Sequence, residues 1–171
     1  MKTRKRKKNI KTMPKISAVC VIHKNKHNIY GHITFNQINN KNVEIKYEIY
    51  GLSDGKHGFH IHQYGDLTDG CTSSCSHFNP YNTTHGGLKS KIRHVGDLGN
   101  IISKNNIAKG IINDTMISLK TKSKCCIIGR CVVIHKDEDD LGLGHNEESL
   151  KTGNAGERLC CGVIGISKKC K

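Results

Sequence analysis

The chain has 171 residues, 35% hydrophobic and 5% aromatic, with no Trp and a formal net charge of +14. That length suits one domain with a single core. No apolar run approaches membrane-spanning length, which excludes a helical membrane protein.

In chain order, the opening "MKTRKRKKNIKTMPK" (1–15) is mostly Lys and Arg, and no Asp or Glu precedes Glu44. It reads as a solvated, disordered basic tail ahead of one domain over 16–171. Its functional reading is weak, salt-sensitive contact with nucleic acid or another anionic surface. The run "ISAVCVI" is too short for a convincing secretory signal and leads into "HKNK" without a small-residue cleavage pattern, so the expected location is cytoplasmic.

Short β-branched segments follow: "ISAVCVIH" (16–23), "NIYGHITF" (28–35), "VEIKYEIYG" (43–51), "GFHIH" (58–62), "NIAKGIIN" (106–113), "TMISLK" (115–120), "CIIGRCVVIH" (126–135) and "CGVIGIS" (161–167). Gly, Asn, Asp or Lys bounds each one, the signature of an all-β sandwich or barrel. "HNEESLK" (145–151) fits one helical turn. Two long stretches, about 64–97 and 136–159, lack strand character. Long ordered loops in a β-domain usually carry function.

Side chains at i and i+2 of a strand share a face. His60 and His62 of "GFHIHQYGD" therefore project together, with Phe59 and Ile61 facing the other way into packing. Such a pair can chelate copper or zinc, although H-x-H alone also fits ordinary hydrogen-bonded histidines. The first long stretch adds "SHFNPYNTTHGG" and "RHVGDLGN", hence His77, His85, His94 and Asp97, and "CVVIHKDEDD" adds His135. Nitrogen donors with one carboxylate suit Zn²⁺. The all-imidazole set His60, His62 and His135 suits copper. Nine cysteines are present but no C-x-x-C, which removes the main support for a zinc ribbon or a thioredoxin-like site.

Together with "GCTSSCSHFNP", "HGG", "CIIGR", "VVIH", "DDLG" and "NEESLKTGNAGERLCCGVIGIS", and in this order over 16–167, these motifs make the chain resemble the copper,zinc superoxide dismutases. The resemblance implies an eight-stranded antiparallel Greek-key barrel or sandwich with two long functional loops. By motif position, His60, His62, His77 and His135 would bind copper, and His77, His85, His94 and Asp97 would bind zinc. Asp139 would hydrogen-bond a ligand from each metal site, fixing ring orientation.

The activity so implied is dismutation of superoxide to O₂ and H₂O₂ by a histidine-bound copper, with zinc holding the bridging His77. Arg158 would orient the anion by a charge-assisted hydrogen bond, or else pair with its neighbour Glu157. Thr152 would limit access, and Lys151, Glu147 and Glu148 would shape the field at the channel mouth. Glu157 and Leu143 depart from the family pattern and make the loop less positive.

Cys71 and Cys161 match the family disulfide, with Cys75 and Cys160 as alternative pairing partners. Cys20, Cys126 and Cys131 are expected to be small buried hydrophobes, and Cys170 is free to bridge two molecules. Tyr64, Ile128, Gly129 and Ile166 match positions that pack across a homodimer interface. The competing function is a non-enzymatic copper- and zinc-binding or copper-delivery protein on the same fold.

Overall fold

The computed structural model describes residues 16–168. The expectations for the basic stretch 1–15 and for Cys170 lie outside them. Eight strands run β1 (Ser17–Ile22), β2 (Tyr30–Gln37), β3 (Val43–Tyr50), β4 (Gly55–His62), β5 (Asp97–Lys104), β6 (Ile107–Asp114), β7 (Cys131–His135) and β8 (Arg158–Ile166). They close into a barrel in the order β1-β2-β3-β6-β5-β4-β7-β8, every pair antiparallel. Strand β3 lies beside β6, and β7 returns to lie beside β4. In each case one strand returns beside three neighbouring strands that are consecutive in the chain, which is the Greek-key connection.

Period-two patterning explains the inward faces. Ala18, Cys20 and Ile22 of β1, Ile33 and Phe35 of β2, and Val43, Ile45 and Ile49 of β3 are buried in one core. Phe35, Phe59 and Phe78 are fully buried, each stabilising the fold by about 1.5–3 kcal/mol.

Two readings of the sequence need correction. The segment 115–120 forms no ladder and makes one isolated bridge, Ser118 to Cys126. Asp114 Oδ1 accepts from the backbone N–H groups of Met116 and Ile117, both at 2.7 Å, and turns the chain. Ile117 and Leu119 then enter the core from a loop. Conversely, β5 is a strand that the sequence pattern does not announce, because Gly99 and Asn100 interrupt its apolar run. Its alternation starts only at Ile101, with Ile101 and Ser103 buried and Ile102 and Lys104 exposed.

Strands β4 and β7 differ from the others. All residues from His57 to His62 are buried, as are all five of β7. Phe59, Ile61, Val132 and Ile134 fill the core side. The register pairs His60 with Val133 and His62 with Cys131, so these residues and His135 share the outer side. The long connections 63–96 and 136–157 cover that outer side, and the second carries a helical turn, α1 (Ser149–Thr152).

Candidate metal centre

His60 and His62 come from β4, His135 ends β7, and Asp97 starts β5. His77, His85 and His94 come from the first long connection, which is stitched to β4. The N–H of Ile61 donates to Gly96 O and that of Phe78 to Ile61 O, both at 2.8 Å, and His62 bridges to His77. The disulfide Cys71–Cys161 ties this connection to β8 across 90 residues. Buried Arg93 donates to Asp97 O at 2.7 Å and pairs with Asp114.

Two tetrads result: His60, His62, His77 and His135, and His77, His85, His94 and Asp97. Within each, one donor atom per residue lies within 4.8 Å of all the others, and every member is buried. His77 belongs to both tetrads, and its ring centroid is 4.1 Å from that of His60 and 5.3 Å from that of His85.

Partners outside the tetrads decide which nitrogen of each ring faces inward. Carbonyl and carboxylate oxygens only accept, so the ring nitrogen they contact must carry the proton. His62 Nδ1 donates to Cys75 O at 2.7 Å and His135 Nδ1 to Gly156 O at 3.1 Å, leaving each Nε2 inward. His60 Nε2 and His85 Nε2 donate to the two oxygens of Asp139 at 2.9 and 2.8 Å, leaving each Nδ1 inward. His94 Nε2 donates to Thr83 O at 3.1 Å. The Nδ1 atoms of His77, His85 and His94 then ring the Asp97 carboxylate at 2.9, 3.0 and 3.1 Å.

Two of the inward nitrogens, His60 Nδ1 and His77 Nε2, are buried without a hydrogen-bond partner. Leaving a buried polar atom unpaired costs about 1–3 kcal/mol. Their convergence fits a cation that would satisfy them together. The residues present therefore fit one ion held by four imidazoles and one held by three imidazoles and a carboxylate.

Electrostatics prepare the same donors. Burial, reinforced by repulsion from neighbouring rings, lowers His60 to about 3 and holds His62 well below its ordinary value. Burial also lowers His135 to about 4 and lowers His77. These rings are neutral and keep lone pairs to offer. Burial alone would raise Asp97 and Asp139, but hydrogen bonds from the histidines hold both well below the carboxylate range. In His85 burial acts downward, yet its bonds to Asp139 and Asp97 outweigh it and raise the ring to about 9. That ring must release a proton before its Nδ1 can ligate.

A cavity of roughly 630 Å³ opens beside the all-histidine tetrad, lined by His62, Cys75, His77, His135, Thr152 and Arg158 among others. Arg158 is anchored by its donation to Cys71 O at 2.6 Å and Cys75 O at 2.7 Å. Glu157 turns to His27 instead, at 3.9 Å, so the expected alternative pairing of Glu157 with Arg158 is not formed. Glu148 also lines the cavity and accepts from Thr152 Oγ1 at 2.7 Å. Lys151 and Glu147 pair at 3.4 Å on the exposed side of α1, outside that cavity.

Cys75 is a free, exposed thiol and Cys160 a free, buried one. Cys20 and Cys131 are buried as expected, whereas Cys126 is only half-buried. The reading of the sequence missed Arg93, Asn100 and the carbonyls of Cys75, Thr83 and Gly156. Asn100 holds the Asp139 backbone through reciprocal bonds of 2.8 Å. An arginine directly before His94 was a visible signal, but backbone carbonyls carry none.

Comparison with known proteins agrees with this geometry. The family described as copper/zinc superoxide dismutase (SODC) matches residues 29–164. A Cu-Zn superoxide dismutase of Paramecium bursaria Chlorella virus 1 is 62% identical over 129 residues, covering 74% of this chain and 68% of that protein. The Cu-Zn superoxide dismutase A of Xenopus laevis is 49% identical over 151 residues, covering 88% of this chain and 98% of its own length. An extracellular Cu-Zn superoxide dismutase of Brugia pahangi is 50% identical over 155 residues, with 88% and 76% covered. Relatives of this kind do not fix a cytoplasmic location. No helix among the described residues is long and apolar enough to cross a membrane.

Proposed function

The chain belongs to the copper/zinc superoxide dismutase family and is an enzyme that converts superoxide to O₂ and H₂O₂ with copper and zinc, and we propose that its two tetrads divide these metals. His60, His62, His77 and His135 hold copper, since an all-imidazole set suits that ion. His77, His85, His94 and Asp97 hold zinc, which favours nitrogen with one carboxylate. Copper, when bound, supplies the one-electron couple that superoxide alternately reduces and oxidises, whereas zinc is redox-silent.

The remaining chemistry belongs to the protein. Arg158, held rigid by two carbonyls, presents its positive charge to the cavity and orients the anionic substrate. Thr152 and Glu148 narrow the approach. His77 faces both tetrads, and its Nε2 takes up and returns the proton that peroxide formation requires. Asp139 holds one ring of each tetrad in register. Tyr64, Ile128, Gly129 and Ile166 match positions that pack across a homodimer in the family, and the exposure of Tyr64 and Ile166 leaves them open to such a contact.

One observation carries the assignment. Nitrogens turned away from the tetrads have oxygen partners, and among the described residues the orphaned buried nitrogens lie inside them. A copper-delivery role is not favoured, because both donor sets are complete. The test is metal analysis of the purified protein with superoxide decay measured before and after chelation. Copper and zinc in equal amounts with chelator-sensitive decay is expected. Decay that survives complete copper removal would overturn the assignment.

A further inference from the structure

Strand β5 pairs with β6 only at Ser103–Ala108 and Lys104–Ile107, whereas its ladder with β4 runs on to Asp97. Beyond those two pairs β5 and β6 part, and a cavity of roughly 520 Å³ opens beside them. It shares no lining residue with the cavity at the all-histidine tetrad. Small-molecule sites fall in the same range of size, about 300–1,000 Å³.

The walls of this groove are aliphatic. Leu88, Leu98, Ile102, Ile112 and Leu141 line it, and no aromatic side chain does. Ile102 is 62% exposed and Leu141 36% exposed, so apolar surface there faces water. A ligand that covers such surface within a concavity gains by desolvation.

Charge at the rim is unbalanced. Its charged residues are Lys56, Lys89 and Glu138, all exposed. Lys56 pairs with Glu138 at 2.6 Å, which leaves Lys89 without a carboxylate among the described residues. A ligand with one negative end complements that cation, and a positive end is repelled by it.

We propose that this groove binds a free long-chain carboxylate, with its alkyl chain along Leu98, Ile102 and Leu141 and its head group at Lys89. Aliphatic walls suit a flexible alkyl chain, because a ring would find no aromatic partner to stack on there. Binding needs neither metal nor superoxide, so the site goes beyond the dismutase reading and stands apart from it.

The test titrates sodium dodecanoate, below its micelle-forming concentration, into the reduced, metal-loaded protein by isothermal calorimetry. Amide NMR shifts locate the site. Dodecyltrimethylammonium, which has the same chain and a positive head, is the matched control. One saturable site is expected, with shifts centred on Leu88, Ile102 and Leu141 and with the cationic probe several-fold weaker. Lys89→Glu should weaken dodecanoate several-fold and abolish the head-group preference. Ile102→Glu, at an exposed position, should weaken it about tenfold or more. Neither residue touches the metal centre, so superoxide decay by both variants should match that of the parent protein.

Lack of saturable binding, equal affinity for the two probes, shifts centred on the catalytic cavity, or parental affinity in either variant would each overturn the site. Sedimentation with phosphatidylserine vesicles separates a free ligand from a lipid surface. Vesicle binding without binding of monomeric dodecanoate would overturn it too, since the groove would then be a membrane contact.

Discussion

Asp139 is 1% exposed, and its two oxygens accept from one ring of each tetrad, His60 at 2.9 Å and His85 at 2.8 Å. Asp139→Asn replaces one acceptor oxygen by a donor, so at least one ring loses its orientation. Metal affinity should fall about 10–100-fold while the barrel remains intact. Competition with a graded chelator, alongside circular dichroism, measures both. Glu157 lies outside the ligand set and precedes the cavity arginine, with His27 at 3.9 Å as its partner. Glu157→Ser removes a negative charge from the approach of an anion. It should raise kcat/KM about twofold at low ionic strength, with the gain shrinking as salt is added. Stopped-flow superoxide decay across a salt series reads this directly, and no change would show that the carboxylate lies outside the steering field. At this scale the donor residue types were legible, because a histidine's capacity to ligate belongs to its side chain. Arg158's geometry was not, since its anchors are carbonyls of Cys71 and Cys75 in another loop.

Strands β4 and β7 are buried on both sides because the two long connections act as a second layer over them. The contact is close. A Cβ built at Gly58 would lie 2.7 Å from Ala155 Cβ and 3.2 Å from His60 Cε1. Gly58→Ala should push the second connection outward and cost about 1–3 kcal/mol. Thermal unfolding of the metal-free protein measures that loss, and unchanged stability would show that the connection yields freely. Seven of the expected β segments contain or overlap strands, since alternation survives in each. The exception, 115–120, alternates equally well but lacks a neighbour to pair with, apart from one bridge. Strand β5 shows the converse: its pairing with β4 and β6 makes it a strand despite Gly99 and Asn100. Alternation reports which side of a segment is apolar, whereas a ladder requires a partner that local sequence does not name.

Across the whole molecule, a buried nest of histidines makes the metal-free fold sensitive to pH in both directions. His60 at about 3 and His135 at about 4 lie below the unfolded imidazole value of 6.5. The unfolded chain therefore binds more protons below that value, and stability falls as pH drops from about 6.5 through the folded values. Asp97 and Asp139, depressed in the fold, add to the loss once pH falls below the ordinary carboxylate range. His85 acts oppositely: raised to about 9, its contribution is full below 6.5 and is lost as pH climbs through 9. Metal-free protein should therefore melt highest near neutrality, with Tm declining toward both pH 4 and pH 10 (about three units either side of neutral). Calorimetry of chelated protein over that range tests it, and a flat profile would mean that the nest relaxes without its metals. The sequence alone determined the donor chemistry, the barrel class and the shared face of His60 and His62, because side-chain identity and period-two spacing are local properties. Only the tertiary structure decided which nitrogen of each ring turns inward. Those choices depend on Asp139, 79 residues from His60 and 54 from His85, and on backbone carbonyls that every residue type supplies alike.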